Sequence, residues 1–512
     1  LPGALTLYLA LRDGGFFPGS AALAAAEVAL CIAVVLLIAR RPWSGLSIPL
    51  IVAVAAIGGL ATWTLASSDW SGTPVRAMIE YTRVLLYALT LILFGLLPFS
   101  LRRIRWMLYG LAVASVVVCG IALIARTLPE IIFDRNLHDE DRLGYPLNYW
   151  NALALQAGIG IVLCGHLACS VRDRWFVRVL AAAAVPLLTA TLYYTLSRGG
   201  TWASVGAVAV YAIVARPRAL LSGAVATVPP VAVMLFTLNP PNALTDPDWA
   251  VPAAVAAGQD AALAIMLAVC VAGVLRAVML PFDFWVVRLR LPHRARRPAM
   301  VAATIAVVGI ALAGAAAFDI PDVVSAKYAE FNSEDDDLVT GGGNRLLSAR
   351  NNGRQEHWDV AMAAYRRDHL HGSGAGMYSA DWALERPNSA LVQDAHSFYV
   401  ELLGELGWPG LAMGVIALLM IVGGFAFRAR GPDRALFAAL LACGLAWAAH
   451  ASVDWLWEMP AVTLWLFAFG GAVLARRSRS HAKLPSWTVG VRVAGVALCV
   501  ALMLLPTRVA VS

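Results

Sequence analysis

The feature that most constrains this chain is a succession of apolar runs, each about as long as one membrane crossing. A helix needs roughly 20 apolar residues to span the hydrocarbon core of a bilayer, and it satisfies its backbone hydrogen bonds internally. Charged residues make up only 14% of the 512, against about 25% in a soluble globular domain. The sequence therefore predicts an all-α fold, a polytopic transmembrane helix bundle of about 12–15 helices with one long, partly helical periplasmic or extracellular loop.

The apolar runs also divide the chain into regions. The predicted crossings lie near residues 1–11, 20–39, 46–65, 75–97, 104–125, 147–168, 176–196, 200–215, 219–238, 258–280, 299–318, 405–427, 434–451, 459–475 and 487–506. Residues 1–318 and 396–512 are then transmembrane helices with short loops, and residues 319–395 form the long outer loop, with a helix at about 352–368. The chain begins at Leu1 without the features of a signal peptide, so we expect the first run to be the end of a helix that starts earlier.

Basic residues fall in every second loop, and this pattern predicts the orientation of the bundle. They are Arg40/Arg41, Arg102/Arg103/Arg105, Arg172/Arg174/Arg178, Arg216/Arg218, residues 288–297, Arg428/Arg430/Arg434 and Arg476/Arg477/Arg479/Lys483. Arginine-rich loops mark the cytoplasmic side of a membrane. The alternate loops, including residues 319–395, are acidic and are predicted to face outward.

The net charge and the cysteines have simple explanations in a membrane protein. Orientation accounts for the net charge of +7, so membrane lipids are expected around the chain and no nucleic-acid partner is predicted. All seven cysteines lie in apolar runs and none in the long loop. The sequence therefore indicates no disulfide framework.

The front of the long loop is acidic and rich in glycine. Residues 334–337 are Glu-Asp-Asp-Asp, and residues 341–343 are three glycines. Such carboxylates are ligands for hard divalent cations, but the flanking glycines and the lack of histidine favour a solvated segment. We therefore predict no metal site and no cofactor.

The back of the loop has the spacing of a helix. Trp358, Met362 and Tyr365 recur at helical intervals, and Arg354 lies one turn before Trp358. Residues 371–376, His-Gly-Ser-Gly-Ala-Gly, follow as a glycine-rich turn. This turn lacks the preceding strand and the lysine and hydroxyl pair of a nucleotide-binding loop. We expect a helix that lies over the outer mouth of the bundle and then a close-packed backbone turn.

The chain re-enters the membrane through a polar segment. It contains Asp394, His396, Ser397, Glu401 and Glu405, and it leads into an apolar helix with Gly407 and Gly410. Charged groups are costly to desolvate, so these side chains should face a cavity or one another.

Three charged residues share one face of a predicted helix near its outer end. Arg76, Glu80 and Arg83 are four and three positions apart. One interpretation is an internal salt bridge. The other is a clamp for a diphosphate, in which Glu80 holds one arginine in place.

Other polar residues lie at the same predicted side of the membrane. Arg198 breaks the positive-inside trend, since it lies between two apolar runs at their outer ends. His450 and Asp454 are one turn apart, which suits a carboxylate that orients an imidazole or a structural hydrogen bond. The forked guanidinium group suits phosphate oxygens, so an anionic lipid headgroup is the natural ligand if Arg198, Arg354 and His396 converge.

These motifs resemble the bacterial O-antigen ligase and O-antigen polymerase superfamily. The resemblance rests on His396-Ser397 followed after nine residues by Gly407-x-x-Gly410, on Leu196-Ser197-Arg198-Gly199, on Gly353-Arg354-x-x-x-Trp358 with Gly374-x-Gly376, and on His450 with Asp454 and Pro460. It covers residues 145–475, while the N-terminal third is similar only in being polytopic.

The resemblance implies an inverting, metal-independent glycosyltransferase of the bacterial cytoplasmic membrane. Its donor would be a glycan linked to undecaprenyl pyrophosphate, and its active site would face the periplasm or the exterior. His396 would be the general base or orienting group for the acceptor hydroxyl, and Arg198 and Arg354 would hold the pyrophosphate. From the residues themselves, nearby arginines are expected to keep His396 neutral by disfavouring its cation.

Several alternatives stay open at this point. The acceptor can be a lipid A-core sugar, a growing glycan or a protein side chain, which correspond to a ligase, a polymerase and a protein O-oligosaccharyltransferase. A metal-dependent glycosyltransferase with Asp13 in the first outer loop is a second enzyme class. A flippase for the lipid-linked glycan is the alternative that is not an enzyme.

Overall fold

The computed structural model describes residues 1–132, 142–238, 252–288, 353–477 and 488–511. The predicted crossing at 299–318 and the acidic front of the long loop at 319–343 lie outside these residues. So do the acidic loop residues 134–141 and 246–248 and the basic residues 289–297, Arg479 and Lys483.

The described residues form sixteen α-helices. These are α1 Pro2–Ala10, α2 Pro18–Ile38, α3 Ile48–Ala66, α4 Pro74–Leu96, α5 Leu101–Thr127, α6 Trp150–Cys169, α7 Trp175–Tyr194, α8 Arg198–Ala215, α9 Leu220–Leu238, α10 Pro252–Arg288, α11 Arg354–Arg367, α12 Tyr378–Glu385, α13 Phe398–Arg428, α14 Arg434–His450, α15 Pro460–Leu474 and α16 Thr488–Val511. Nine helices in this part of the chain are long and apolar enough to cross a membrane. The prediction of an all-α, polytopic bundle is confirmed.

Within the described ranges, the apolar helices do not correspond one to one with the predicted apolar runs. Besides the nine long helices, the described ranges contain three shorter apolar helices, Arg434–His450, Pro460–Leu474 and Val489–Leu502. The run at 1–11 forms a helix of only nine residues. The run at 258–280 belongs to a helix of 37 residues that extends to Arg288. An apolar run therefore marks a buried or lipid-facing helix without fixing its length.

The helix ends follow local chemistry. Helices α1, α2, α3, α4 and α15 begin with proline in their first turn, where its missing N–H costs no intrahelical bond. Ser47 caps α3 by accepting a hydrogen bond from the Leu50 N–H at 3.2 Å. These start and capping signals explain why the predicted and observed boundaries of these helices differ by only a few residues.

The loops gather at two opposite ends of the bundle. At one end, Arg476 donates its backbone N–H to Gly45 at 2.8 Å and accepts one from Phe99 at 2.9 Å. Arg434 reaches the last carbonyl of α8, that of Ala215, at 3.0 Å. We call this the arginine-rich end. The opposite end, where Asp454 lies, is called the site end.

Helices α7, α9 and α10 share a charged cluster close to the arginine-rich end. Asp283 of α10 pairs with Arg178 of α7 and Arg276 of α10, and it accepts the Ser222 hydroxyl of α9. All four side chains are buried. The sequence analysis placed Arg178 in a loop, but it lies inside α7. The Asp283 carboxylate contacts both arginines and offsets one of their two positive charges, which lowers the cost of burying them.

Helix α15 lies at the centre of the bundle and holds part of the site end in place. Val462, Trp465 and Phe469 of α15 are fully buried, and α15 packs against α1, α4 and α13. Leu456–Glu458 forms a short 3-10 turn directly before α15. The segment that contains Asp454 is therefore held by the most buried helix of the protein.

Candidate functional site

The described part of the long loop lies across the site end of α13 and α4. Helix α11 packs on α13, and its apolar face contributes Val360 and Ala361 to a small core with Tyr378 and Trp382 of α12. The sequence analysis placed a helix at about 352–368, and α11 spans Arg354–Arg367. The loop thus has a core of its own on the surface of the bundle.

A buried carboxylate anchors the glycine-rich turn to the bundle. Glu405 of α13 accepts the backbone N–H groups of Gly376 at 2.9 Å and Tyr378 at 2.8 Å. Gly376 has φ +72° and lies against Arg76 at the start of α4, where a Cβ would come within 2.6 Å of that residue's Cβ. The turn is therefore a docking element between α13 and α4.

Gly407 provides the second anchor. Helix α13 departs from helical geometry at this residue, with φ +64°, and a Cβ here would lie 2.3 Å from the Leu370 carbonyl oxygen. The next residue, Trp408, donates its N–H to His369 at 3.0 Å. Gly410 is also tightly packed, since a Cβ would lie 2.4 Å from Leu406 Cβ. The two motif glycines are therefore structural.

His396 lies just before α13 in a constrained conformation. Its φ is +50°, a region that costs about 1–3 kcal/mol for most residues. Asp394 compensates by accepting the His396 backbone N–H at 3.2 Å and by contacting the ring Nδ1 at 2.9 Å. Ser397 caps α13 by accepting the Val400 N–H at 3.4 Å. The His396 Nε2 has no hydrogen-bond partner among the residues that the structure describes.

The electrostatics of His396 correct one expectation. Burial disfavours its cation, but the hydrogen bond and charge of Asp394, with the charge of Asp454, together raise its pKa above the ordinary value. Arg354 opposes this shift without cancelling it. The expectation that arginines keep His396 neutral was wrong, because a carboxylate in direct contact outweighs a more distant guanidinium.

A second histidine lies against His396. The rings of His357 and His396 are stacked, with centroids 5.1 Å apart and an interplanar angle of 18°. Burial, followed by the charges of His396 and Arg354, lowers the pKa of His357 to about 4. His357 is therefore neutral near pH 7, and its ring supports His396 without adding a competing positive charge.

Arg354 begins α11 and reaches across to the segment before α15. Its Nε donates to the Val453 carbonyl at 2.8 Å, and its Nη2 lies 3.7 Å from the Asp454 carboxylate. The side chain is 19% exposed, so the guanidinium is only partly buried and is not enclosed in the core.

Asp454 connects several residues at the site end through hydrogen bonds. It is fully buried and accepts hydrogen bonds from the Tyr149 hydroxyl, the Asn151 amide and the Trp455 N–H. His450, one turn earlier on α14, has its Nε2 4.0 Å from the same carboxylate. The Asp454 contacts therefore connect the start of α6 to the segment between α14 and α15.

Arg198 is the first residue of α8 and joins this network through its neighbours. Ser197 donates to the Asn151 amide oxygen at 2.6 Å and accepts the Gly200 N–H at 3.2 Å. Gly199 packs on His450, whose Nε2 would lie 3.0 Å from an added Cβ. The Ser-Arg-Gly-Gly motif thus lies beside the residues that Arg354 contacts.

The two arginines on the face formed by Arg76, Glu80 and Arg83 have different environments. Arg83 is buried and pairs with Glu80 and, at 3.5 Å, with Glu458. Arg76 is exposed and donates to the Ser379 hydroxyl of α12. The internal salt bridge that the sequence left open is thus present at Arg83, so we do not include Arg83 among the pyrophosphate ligands. For Arg76, binding of pyrophosphate stays a prediction.

Further carboxylates lie beneath His396. Glu401 accepts the Ala395 N–H at 3.0 Å and is close enough to Glu458, Glu405 and Asp394 to interact with their charges. Asp13 accepts a hydrogen bond from Asn148. Among the described residues, no three His, Cys, Asp or Glu side chains are grouped so as to hold a metal ion.

Sequence reasoning missed several members of this site. Asp394 was noted in the re-entry segment but received no role, and His357, Tyr149 and Asn151 were not selected. Asp394 is two residues from His396, a spacing that allows direct contact. The others come from distant segments, and only the packing of α6, α11 and α14 brings them to the site.

The fold and the site define a class, a multi-pass helical membrane protein in which histidine, carboxylate and arginine groups meet at one end of the bundle beneath a loop. Residues 253–415 match the family model described as O-antigen ligase. The matched segment includes Arg354 and His396. It confirms the predicted relation to the O-antigen ligase and O-antigen polymerase superfamily. A comparison with curated proteins gives no match.

Proposed function

We propose that this protein is an inverting, metal-independent glycosyltransferase of the O-antigen ligase type. It moves a glycan from undecaprenyl pyrophosphate to an acceptor hydroxyl at the outer face of the bacterial cytoplasmic membrane. The observation that carries the proposal is the placement of His396, oriented by Asp394, in the electrostatic reach of Arg354.

His396 is the general base in this proposal. The Asp394 carboxylate contacts Nδ1 of His396. The neutral imidazole ring of His396 therefore carries its proton on Nδ1 and its lone pair on Nε2. The acceptor hydroxyl attacks the anomeric carbon while its proton passes to Nε2. The bond between that carbon and the pyrophosphate oxygen breaks, and the Asp394 carboxylate stabilises the imidazolium that results.

Arg354 and Arg198 stabilise the leaving group. Negative charge grows on the pyrophosphate as the glycosidic bond breaks, and fixed guanidinium groups meet that charge without reorganisation. Arg354 is held in place by the Val453 carbonyl and by a 3.7 Å contact to Asp454, and the forked guanidinium group suits phosphate oxygens. Inversion follows if the base and the arginines lie on opposite sides of the anomeric carbon.

The test uses purified protein, a lipid-pyrophosphate-linked glycan and candidate acceptors in detergent. We expect His396→Ala and Arg354→Ala to lower transfer by at least about 100-fold, the usual scale for removing a general base or a charge-stabilising group. Matched controls are His369→Ala and Arg366→Ala, which are exposed residues of the same loop. Full activity in the two site variants, with correct folding, contradicts the assignment.

The same assay distinguishes the alternatives. A product on a lipid A-core acceptor identifies a ligase, chain extension identifies a polymerase, and a glycosylated protein identifies an oligosaccharyltransferase. Transfer in detergent excludes a pure flippase, because no sidedness exists there. Loss of activity on chelation, restored by a divalent cation, favours the metal-dependent class instead.

A further inference from the structure

A groove on the membrane-facing surface plays no part in the proposed reaction. It lies between α5 and α7 over α6, near the arginine-rich end, and encloses about 980 Å³. Binding cavities for small ligands have roughly 300–1,000 Å³. The groove is large enough for a ligand and lies toward the opposite end of the bundle from His396.

The walls of the groove are apolar and open to the side. Val113 and Val116 of α5 face Leu180 and Ala184 of α7, and Leu167 of α6 contributes to the floor. Val113 is 62% exposed and Leu180 is 66% exposed. An occupant of this part must be apolar and can enter laterally from the bilayer.

The arginine-rich end of the groove is polar. Its lining there includes Arg102, Arg105, Arg172 and Arg174. Helices α5 and α7 both begin at this end, so the positive ends of their dipoles add to the field of the arginines. The exposed Trp106 beside them is a residue type enriched at the headgroup level of membranes.

The positive charge at this end is only partly balanced. Asp433 contacts Arg105 at 3.5 Å and Arg172 at 2.5 Å. Asp173 accepts the Tyr109 hydroxyl. The groove lining has four arginines and one carboxylate, Asp173, and Asp433 pairs with two of these arginines from outside the lining. These six groups together carry a net charge of +2, which suits one or two phosphate groups.

The length of the groove suits one leaflet. Its lining on α5 runs from Leu101 to Val117, which corresponds to about 24 Å along the helix. Half of a bilayer measures about 20 Å from its midplane to the headgroups. The distance between the charged end and the apolar end of the groove therefore matches the distance between the headgroup and the acyl chains of one lipid.

We propose that this groove binds an anionic glycerophospholipid of the leaflet at the arginine-rich end. Its phosphate lies among Arg102, Arg105 and Arg174, and its acyl chains lie between α5 and α7. A helix from a second copy fits less well, because it fills the apolar part but leaves the arginines without a matching anion.

The test measures lipids that remain bound to the full-length protein. Protein reconstituted in nanodiscs with equal phosphatidylglycerol and phosphatidylcholine is re-extracted, and its retained lipids are counted by native mass spectrometry. We expect phosphatidylglycerol to be retained about 10-fold over phosphatidylcholine, since each basic residue near the headgroups favours anionic lipid several-fold. The double variant Arg102→Gln/Arg174→Gln should lose this preference.

Two further variants locate the site. Arg40→Gln/Arg41→Gln removes the same charge from the same end outside the groove, and should leave the preference intact. Val116→Trp fills the apolar cleft and should reduce retention although every arginine remains, with Ala184→Leu as a milder alternative if folding suffers. Three outcomes overturn the proposal. The first is equal retention of the two lipids, and the second is an equal loss of the preference in both double arginine variants. The third is displacement of the bound lipid by a polyprenyl phosphate in preference to phosphatidylglycerol.

Discussion

At the residue scale, the proposed chemistry depends on one pair of side chains. His396 and Asp394 are two residues apart, and the positive φ of the histidine turns both groups toward each other. A carboxylate on Nδ1 fixes the tautomer and strengthens the opposite nitrogen as a base. The stacked His357 stays neutral because burial lowers its pKa. The base is thus defined by its neighbours.

The pH dependence of glycan transfer should reveal the effect of Asp394 on the pKa of His396. Because Asp394 raises the pKa of His396, activity in the wild type should fall as the pH drops through that raised value and the base becomes protonated. In Asp394→Asn the acid limb should move to lower pH, while the maximal rate falls about 10- to 100-fold for want of imidazolium stabilisation. The measurement is kcat against pH.

A matched pair elsewhere in the loop provides the control. Asp368 contacts His371 Nδ1 at 3.1 Å in an exposed position. Asp368→Asn should leave the pH profile unchanged. An unshifted acid limb in Asp394→Asn contradicts a role for Asp394 in setting the pKa of His396.

Arg83 and Arg354 should respond differently to removal. Arg83→Met removes a buried cation from the partly buried carboxylates of Glu80 and Glu458, and loss of one member of a fully buried ion pair costs about 3–5 kcal/mol. We expect a lower Tm for Arg83→Met and an almost unchanged Tm for Arg354→Ala, measured by thermal unfolding in detergent. A stable Arg83→Met variant with a much higher donor KM would instead identify a pyrophosphate ligand.

At the element scale, α13 serves as the platform for the loop. Its first half carries Glu405, which holds the glycine-rich turn, and Gly407, whose positive φ admits the Leu370 carbonyl. Helix α13 therefore fixes the positions of both the loop helix α11 and His396, the proposed general base. This arrangement explains why the motif joins His396 to two glycines that follow 11 and 14 residues later, which is about three and four helical turns.

The kink at Gly407 offers a sharp test. Gly407→Ala should destabilise the docked loop by about 1–3 kcal/mol, since the new Cβ meets a carbonyl at a strained φ, and transfer activity should fall with it. Hydrogen exchange of α11 and α12 is the measurement. Gly423→Ala, on the same helix with open space around it, should behave as the wild type. Equal exchange in both variants would show that the kink does not hold the loop.

At the scale of the whole molecule, the two ends of the bundle differ in chemistry. Basic loops gather at one end, while histidine, carboxylates and the described part of the long loop lie at the other. The sidedness in a cell stays a prediction from the positive-inside rule. If that orientation is right, the proposed catalytic site and the proposed lipid-binding groove face opposite leaflets.

Accessibility in intact cells tests the orientation. A cysteine at Ser389→Cys, in the exposed part of the loop, should react with a membrane-impermeant maleimide, whereas Arg430→Cys at the arginine-rich end should react only after permeabilisation. The background is a variant without the exposed Cys270. Labelling of Arg430→Cys from outside would reverse the predicted topology.

The sequence by itself determined the fold class, the alternation of loops and the candidate motif residues, because apolar length, arginine distribution and short motifs are local properties. It did not determine that Arg83 is neutralised by Glu458, that His357 stacks on His396, or that Asn151 links Ser197 to Asp454. Those partners are separated by 39 to more than 370 positions along the chain. Only the packing of helices from distant parts of the chain brings them into contact and so sets the charge and orientation of the site.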